Sequence, residues 1–382
     1  MILVGLGLVV LCVASLPYLL YLGLPSVLPV WSLPTTKTEA TESVSIVLPT
    51  YNEEALIAET LENLCSLQYP AESLELVVVD SSTDGTAAVV REFFADREQP
   101  ALQLIEESDR GGVARAVNRA IEAASHDVIF RTDCDSRLDS EAIGHAVATL
   151  QDDTVGGVTG RQVDVLGGSK VETEYRGLQA QNQALESYLD STFIVHGPCF
   201  AFRKQYFEPI AADSLADDTE IAVRIRKQGK RILMHPAMQF TEAGTSNLRG
   251  RRARKDRRAM GLLQLLDRNR DLLGRYGLYG WVVVPVNWWF LSISPWLSVG
   301  GAALVLLGLL TTVPPVGVVA VLGVVLGVLL GQVDRLGPLQ APYAVFDAHL
   351  SLLIARVRLH HDEGDGTWDI DGDSRAIFSR ES

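Results

Sequence analysis

The stretch Val44-Ser45-Ile46-Val47-Leu48-Pro49-Thr50-Tyr51-Asn52-Glu53-Glu54 is a β-branched run that stops in a polar turn. Helical periodicity follows over Ala55–Leu67. The pattern then returns: Leu74–Val79 reads as a strand, Asp80–Gly85 as its turn and Thr86–Phe94 as a helix. Leu102–Glu106 and Val128–Arg131 add two more strands. Strand, loop and helix repeated in this way predict an α/β domain over residues 44–265 with a mostly parallel central sheet. Such sheets bind ligands at the carboxyl ends of their strands, where the polar residues of interest fall.

Each turn has an ordinary reading, because Asn, Asp, Ser and Thr are the usual helix caps. Two such turns in succession point to a nucleotide site, in which Tyr51 stacks on a base and Asp80 accepts from a uracil imide or a ribose hydroxyl. Asp109-Arg110-Gly111-Gly112 opens the next helix, and a glycine pair there lets backbone N–H groups approach phosphate. After the fourth strand comes Thr132-Asp133-Cys134-Asp135-Ser136. Two carboxylates one residue apart can share a hard divalent cation that also grips a diphosphate. His196-Gly197-Pro198-Cys199 precedes Asp217-Asp218-Thr219-Glu220, an acid cluster before the helix Ile221–Lys227. That cluster either complements the helix dipole or supplies a general base. Seven of the ten residues 249–258 are basic, which suits a pyrophosphate clamp or an anchor to anionic lipid.

The flanks are apolar. Residues 1–36 carry no charged side chain, and Ile2–Leu24 is long enough to cross a bilayer. It lacks the basic start and short core of a cleaved signal, so a retained anchor is expected. A second uncharged stretch, Tyr276–Val333, is interrupted by Pro314-Pro315 and predicts two spans, about Trp281–Leu310 and Val316–Gly331. Pro342–Leu359 mixes apolar runs with Asp347, His349, Arg356 and Arg358, and reads as a helix lying on the membrane ahead of an acidic tail, together covering 339–382. Every Lys and Arg falls within 37–275 or after 334, so the positive-inside rule predicts a cytosolic domain and an external N-terminus.

Composition agrees. Asp and Glu number 47 against 33 Lys and Arg, a formal charge of −14, which argues against a nucleic-acid binder. Hydrophobic residues make up 47%, too many for a disordered chain. The four cysteines, Cys12, Cys65, Cys134 and Cys199, are scattered, which argues against a disulfide framework or structural zinc.

Taken in order and spacing, Pro49–Glu54, Asp80–Thr86, Gly111–Asn118, Asp133-x-Asp135, His196–Arg203, Asp217-Asp218 and the Arg-rich run resemble the membrane-bound family-2 glycosyltransferases. The resemblance reaches from residue 44 to Gly366-Thr367-Trp368. It implies a GT-A nucleotide-sugar-binding fold, a nucleoside-diphosphate sugar donor, Mg²⁺ or Mn²⁺, and inversion at the anomeric carbon. By position, Thr50, Tyr51, Glu53, Asp80 and Asp84 would hold the donor nucleoside, and Asp133 and Asp135 the metal and diphosphate. Asp218 would be the base, with His196, Gly197, Asp217, Arg254, Arg257 and Arg258 around the acceptor and phosphates. Val113 stands where many relatives have Lys, which leaves the phosphate charge to Arg115 or the later arginines. No Trp follows Arg254 or Arg258, a departure from the polymerising branch. The expected activity is sugar transfer to a lipid-linked or glycan acceptor at the cytosolic membrane face, with membrane lipids as surroundings. The alternatives are a processive polysaccharide synthase or a GT-A membrane protein without turnover.

Overall fold

A computed structural model describes residues 1–32, 41–166, 170–243, 248–333 and 335–361. The long helix α1 (Ile2–Gly23) leads into alternating strands and helices: β1 (Val44–Thr50), α2 (Ile57–Cys65), β2 (Leu74–Asp80), α3 (Thr86–Phe93), β3 (Ala101–Glu106), α4 (Val113–Ala123) and β4 (Val128–Arg131). The chain continues through β5 (Ser136–Leu138), α5 (Ala142–Leu150), β6 (Val155–Leu166), α6 (Lys170–Leu189), β7 (Phe200–Arg203), α7 (Asp217–Lys227), β8 (Arg231–Ala243) and α8 (Leu248–Arg268). It ends with α9 (Val284–Trp288), α10 (Ser294–Thr312), α11 (Pro314–Gln332) and α12 (Gln340–His360).

The strands form one sheet in the order β3-β2-β1-β4-β7-β6-β8-β5. From β3 to β4 all pairings are parallel, and Thr50 lies opposite Asp80, so the loops after β1 and β2 leave the sheet level with each other. Beyond β4 the sheet is mixed: β7 runs antiparallel to β4 and β6, β8 parallel to β6, and β5 antiparallel to β8. The parallel expectation therefore holds for the first half. Only residues 132–135 separate β4 from β5, too few for a crossover, so β5 pairs with β8 at the sheet's far edge.

Alternation along the central strands buries both faces. Ile46, Leu48, Leu76, Val78 and Phe130 pack against α2 and α5, while Val47, Val77, Val79 and Ile129 pack against α4 and α7. Near-continuous apolar strands are what a sheet covered on both sides requires.

Three helical stretches are long and apolar enough to cross a membrane: Ile2–Ser26, Tyr279–Thr312 and Pro314–Gln332. The second is one continuous stretch because π-helical turns at Tyr279–Val283 and Trp289–Ile293 join α9 to its neighbours. Val313 alone separates it from α11. Helices α1 and α10 are antiparallel and close: a β-carbon on Gly301 would lie 3.1 Å from the Gly7 carbonyl oxygen, and one on Gly308 2.7 Å from a Val4 methyl. Small residues permit such approach where lipid gives helices no hydrophobic reason to associate. Met1 and Thr312 thus meet at the same end of the pair.

Two junctions tie the sheet domain to these helices. The Glu186 carboxylate of α6 accepts from Asn287 of α9, from the Phe193 N–H (2.9 Å) and from the Thr192 hydroxyl (3.2 Å). Arg226 of α7 pairs with Asp190 (3.0 Å) and donates to the Tyr276 carbonyl (2.6 Å). The helix expected at 342–359 is α12, and charged residues on it face α8. Asp347 takes Arg252 at 3.0 Å and Lys255 at 2.7 Å, and Arg358 reaches Asp256 at 3.5 Å. Between them Leu352 and Ala355 pack on Ala259 and Leu263. The acidic tail lies outside the described residues.

Candidate functional site

The loops after β1 and β2 are laced together by short side chains. Asn52, at φ 54°, accepts from the Thr83 N–H (2.8 Å), and its own N–H donates to Ser82 (2.7 Å). Asn tolerates this left-handed conformation. The Glu53 N–H donates to Thr86 (2.9 Å) and the Gly85 N–H to Glu54 (3.1 Å). Asp84, expected from the sequence at the nucleoside, is turned into this lacework instead: its two carboxylate oxygens accept from the Thr86 N–H (3.0 Å) and the Glu54 N–H (3.3 Å). It ties the start of α3 to the loop after β1.

Thr50 and Asp80 are buried side by side, and the Thr50 hydroxyl donates to Asp80 Oδ1 at 2.7 Å. Ser82 donates to the same oxygen. Beside them a cavity is lined by Pro49, Thr50, Ser81, Arg110, Gly112, Val113 and Ala116. The Arg110 guanidinium lies 4.0 Å above the Tyr51 ring. A planar aromatic group would find a stacking surface and a cation there. Gly112 opens α4 at φ 84°, and exposed Arg115 folds back over Gly111.

Past the end of β4 the chain turns at residues 134–135. Cys134 packs into the core, whereas Asp133 and Asp135 stay partly exposed. Burial pushes the Asp133 carboxyl up to about 6; Arg131 opposes this, and Asp135, Asp217 and Asp218 reinforce it. Asp217 and Asp218 therefore share the site, delivered by the first turn of α7. Asp218 Oδ2 accepts from the Gly197 N–H (2.8 Å) and Oδ1 from the Thr219 N–H (2.6 Å). Its carboxyl is raised by burial and by Asp217, against the pull of Arg131 and these N–H groups.

His196 is held neutral, with its pKa pushed down to about 3 by burial and by Arg176. Its Nε2 faces Gln183 Oε1 at 3.2 Å, and its backbone N–H donates to Thr159. The Arg-rich run divides. Arg254 and Arg258 turn to Glu242 of β8, at 3.3 and 2.9 Å, and Gln162 donates to the same carboxylate at 3.1 Å. Burial raises Glu242 to about 7, Asp135 adds to this and Arg254 opposes it. Arg257 feels the same acids: burial and Arg254 lower its pKa, while Asp217, Asp135 and Glu242 act the other way. Arg252 and Lys255 belong to the α12 contact instead.

Sequence reasoning missed Arg131, Glu242, Gln162 and Arg176. The one available signal was an arginine closing an otherwise apolar strand. A divalent cation fits the donor set at Asp133 and Asp135, which is all hard oxygen. Among the described residues no group of three or more His, Cys, Asp or Glu converges to cage an ion. Such a cation would complete its shell with water and substrate oxygens, as Mg²⁺ commonly does.

A sheet with nucleotide-type loops on its parallel half and converging acids at the β4 end is a GT-A fold. The chain belongs to glycosyl transferase family group 2, whose profile matches residues 128–330, more than half of it. The profile of glycosyl transferase family 2 matches residues 45–210. Similar curated proteins include a probable glycosyltransferase, YdaM, of Bacillus subtilis, 28% identical over 207 residues (51% of this chain, 49% of that one). Another is a poly-β-1,6-N-acetyl-D-glucosamine synthase of Staphylococcus aureus, 25% identical over 214 residues (53% and 50%). The chain spans about half the length of these curated relatives. Among solved structures it resembles a mannosyltransferase of Pyrobaculum calidifontis in complex with GDP-Man and Mn²⁺. That match has a TM-score of 0.78 and 27% identity, covering 94% of this chain and 99% of the other.

Proposed function

We propose that the protein is an inverting glycosyltransferase that moves a sugar from a nucleoside-diphosphate sugar to a lipid-linked or glycan acceptor at the cytosolic face of a membrane. The carrying observation is the convergence of Asp133 with Asp217 and Asp218 at the β4 end of the sheet, beside the cavity between Thr50 and Arg110. In this reading the nucleobase stacks in the Tyr51–Arg110 region while Asp80, held in place by Thr50, meets the nucleoside. Glu53 stays near the nucleoside through the lacework, and Arg115, on the first turn of α4, lends positive charge to the phosphates. Asp133 and Asp135 would hold Mg²⁺ or Mn²⁺, which when bound supplies positive charge for a departing diphosphate. Arg257 adds charge from α8.

Asp218 is the base. Two backbone N–H groups fix its carboxylate; Oδ1 also accepts from the Thr219 hydroxyl at 3.2 Å, while Oδ2, bonded to the Gly197 N–H, keeps a lone pair for an acceptor hydroxyl. It takes the hydroxyl proton as that oxygen attacks the sugar carbon, one displacement with inversion. His196 and Gly197 shape the acceptor side, and neutral His196 offers hydrogen bonding without charge. The three apolar helices hold the site at the bilayer. The test is nucleoside-diphosphate release from UDP- and GDP-sugars with a native lipid extract. Release with one donor class, dependent on added Mg²⁺ or Mn²⁺, supports the reading; none with any donor sinks it.

A further inference from the structure

We propose that Arg131 is a positioning residue, one buried guanidinium that sets the α7 carboxylates in register with the carboxylate beyond β4. Its side chain is only 5% exposed. Nη2 lies 2.8 Å from Asp217 Oδ2 and 3.4 Å from Asp133 Oδ1, and Nη1 lies 4.0 Å from Asp218 Oδ2. One side chain thus spans acids from two segments far apart in sequence. Its Nε is buried with no hydrogen-bond partner among the described residues. Taking a guanidinium out of water is costly, and a buried charge leaves a large penalty when its partners are lost. Lys cannot substitute, because a single ammonium lacks the planar fork that addresses several carboxylates at once.

Gly197 shows how the position is enforced. A β-carbon there would fall 1.5 Å from Arg131 Nη1, so the guanidinium occupies the space of the missing side chain. The N–H of the same glycine holds Asp218. Gly197 thus seats the arginine by what it lacks and anchors the base by what it donates. Asp133, where a cation would arrive, and Asp218, which would take the acceptor's proton, are then located by one group.

The proposal rests on the roles given above to Asp133 and Asp218. The full-length protein is prepared as wild type, Arg131→Met, Arg131→Lys, Gly197→Ala and the Arg131→Met/Gly197→Ala double variant. Mn²⁺ binding is measured by calorimetry, and kcat and donor KM by nucleotide release. We expect kcat to fall about 10²-fold in Arg131→Met, the scale of a small misplacement of reacting groups. Donor KM should move only a few-fold. Mn²⁺ should bind as well or more tightly, because a competing cation has left Asp133. Arg131→Lys should recover little. Gly197→Ala should match Arg131→Met, and the double variant should be scarcely worse than either, since both changes remove one interaction.

A kcat within threefold of wild type in Arg131→Met overturns the proposal. So do additive losses in the double variant, or loss of Mn²⁺ binding along with turnover, the mark of a collapsed site. If Arg131→Met does not fold, Gly197→Ala decides alone, and a normal kcat there overturns it. Wild type without any metal-dependent release would instead bring down the functional reading, and this proposal with it.

Discussion

Asp218 Oδ2 receives the backbone N–H of Gly197 at 2.8 Å, while its neighbour Asp217 forms an ion pair with Arg131 at the same distance. The guanidinium lies closer to Asp217 than to Asp218, which it reaches at 4.0 Å. Asp218 is fixed by backbone N–H groups and is the better placed of the two to accept a proton. Asp218→Asn should lower turnover on the order of 10²–10⁴-fold, the usual worth of a general base, with donor affinity within a few-fold of wild type. Asp217→Asn should retain more activity than Asp218→Asn. Calorimetric donor binding beside nucleotide release checks this; the reverse ranking moves the base to Asp217.

Replacing Asp133 or Asp135 by Ala should abolish transfer and leave the protein folded. Burial disfavours the ionised form of Asp133, whereas the Arg131 guanidinium 3.4 Å away favours it, so the two effects oppose each other in the metal-free protein. Its melting temperature should therefore move little in Asp133→Ala. Mn²⁺ should raise the melting temperature of wild type, by ligand linkage, and not that of the variant. An equal Mn²⁺ shift in both proteins contradicts the assignment.

His196 gives a pH signature. Its folded pKa of about 3 lies below the ordinary value of 6.5 that the unfolded chain regains. Below pH 6.5 the unfolded chain therefore binds a proton that the folded chain refuses. The stability this residue contributes is complete above that pH and drains away as pH falls toward 3. His196→Gln should flatten the fall in melting temperature between about pH 7 and 5. Parallel slopes for variant and wild type would show that His196 is not kept neutral.

The proximity of Met1 to Thr312, with the sheet domain joined to the other ends of these helices, makes a topological prediction. A cysteine at Val313 should react with a membrane-impermeant maleimide added to intact cells. A cysteine at Gln68 should react only after lysis. Labelling of Gln68→Cys from outside would invert the topology and strand the domain away from nucleotide sugars.

Much of this site was legible because its residues follow long, regular signals. β1, β2 and β4 are apolar runs ending in Thr50, Asp80 and the Asp133 turn, and position after a strand is nearly the same as position at the site. β5 and β7, of three and four residues, fall outside the strand–loop–helix repeat, and nothing in them shows that the sheet turns antiparallel. Arg131 was read as the end of a strand, since sequence cannot tell that Gly197 leaves it a seat. The run at 249–258 looked like one basic patch. Helical periodicity divides it: Arg254 and Arg258, four apart, reach Glu242, while Arg252 and Lys255, three apart, reach Asp347. Glu242 precedes the run on β8 and Asp347 lies far beyond it on α12, and only the fold shows which arginines each one meets.

The hydrogen bond from Asn287 to Glu186 makes the apolar helices more than a mooring. Glu186 also carries the N–H of Phe193, three residues ahead of His196, so the catalytic edge hangs from a carboxylate whose other support lies in α9. Cutting the chain before residue 279 would leave that carboxylate stripped of a donor in a dry place. The enzyme therefore resists being pared down to a water-soluble core, and its reactivity should respond to the thickness and tension of the surrounding lipid.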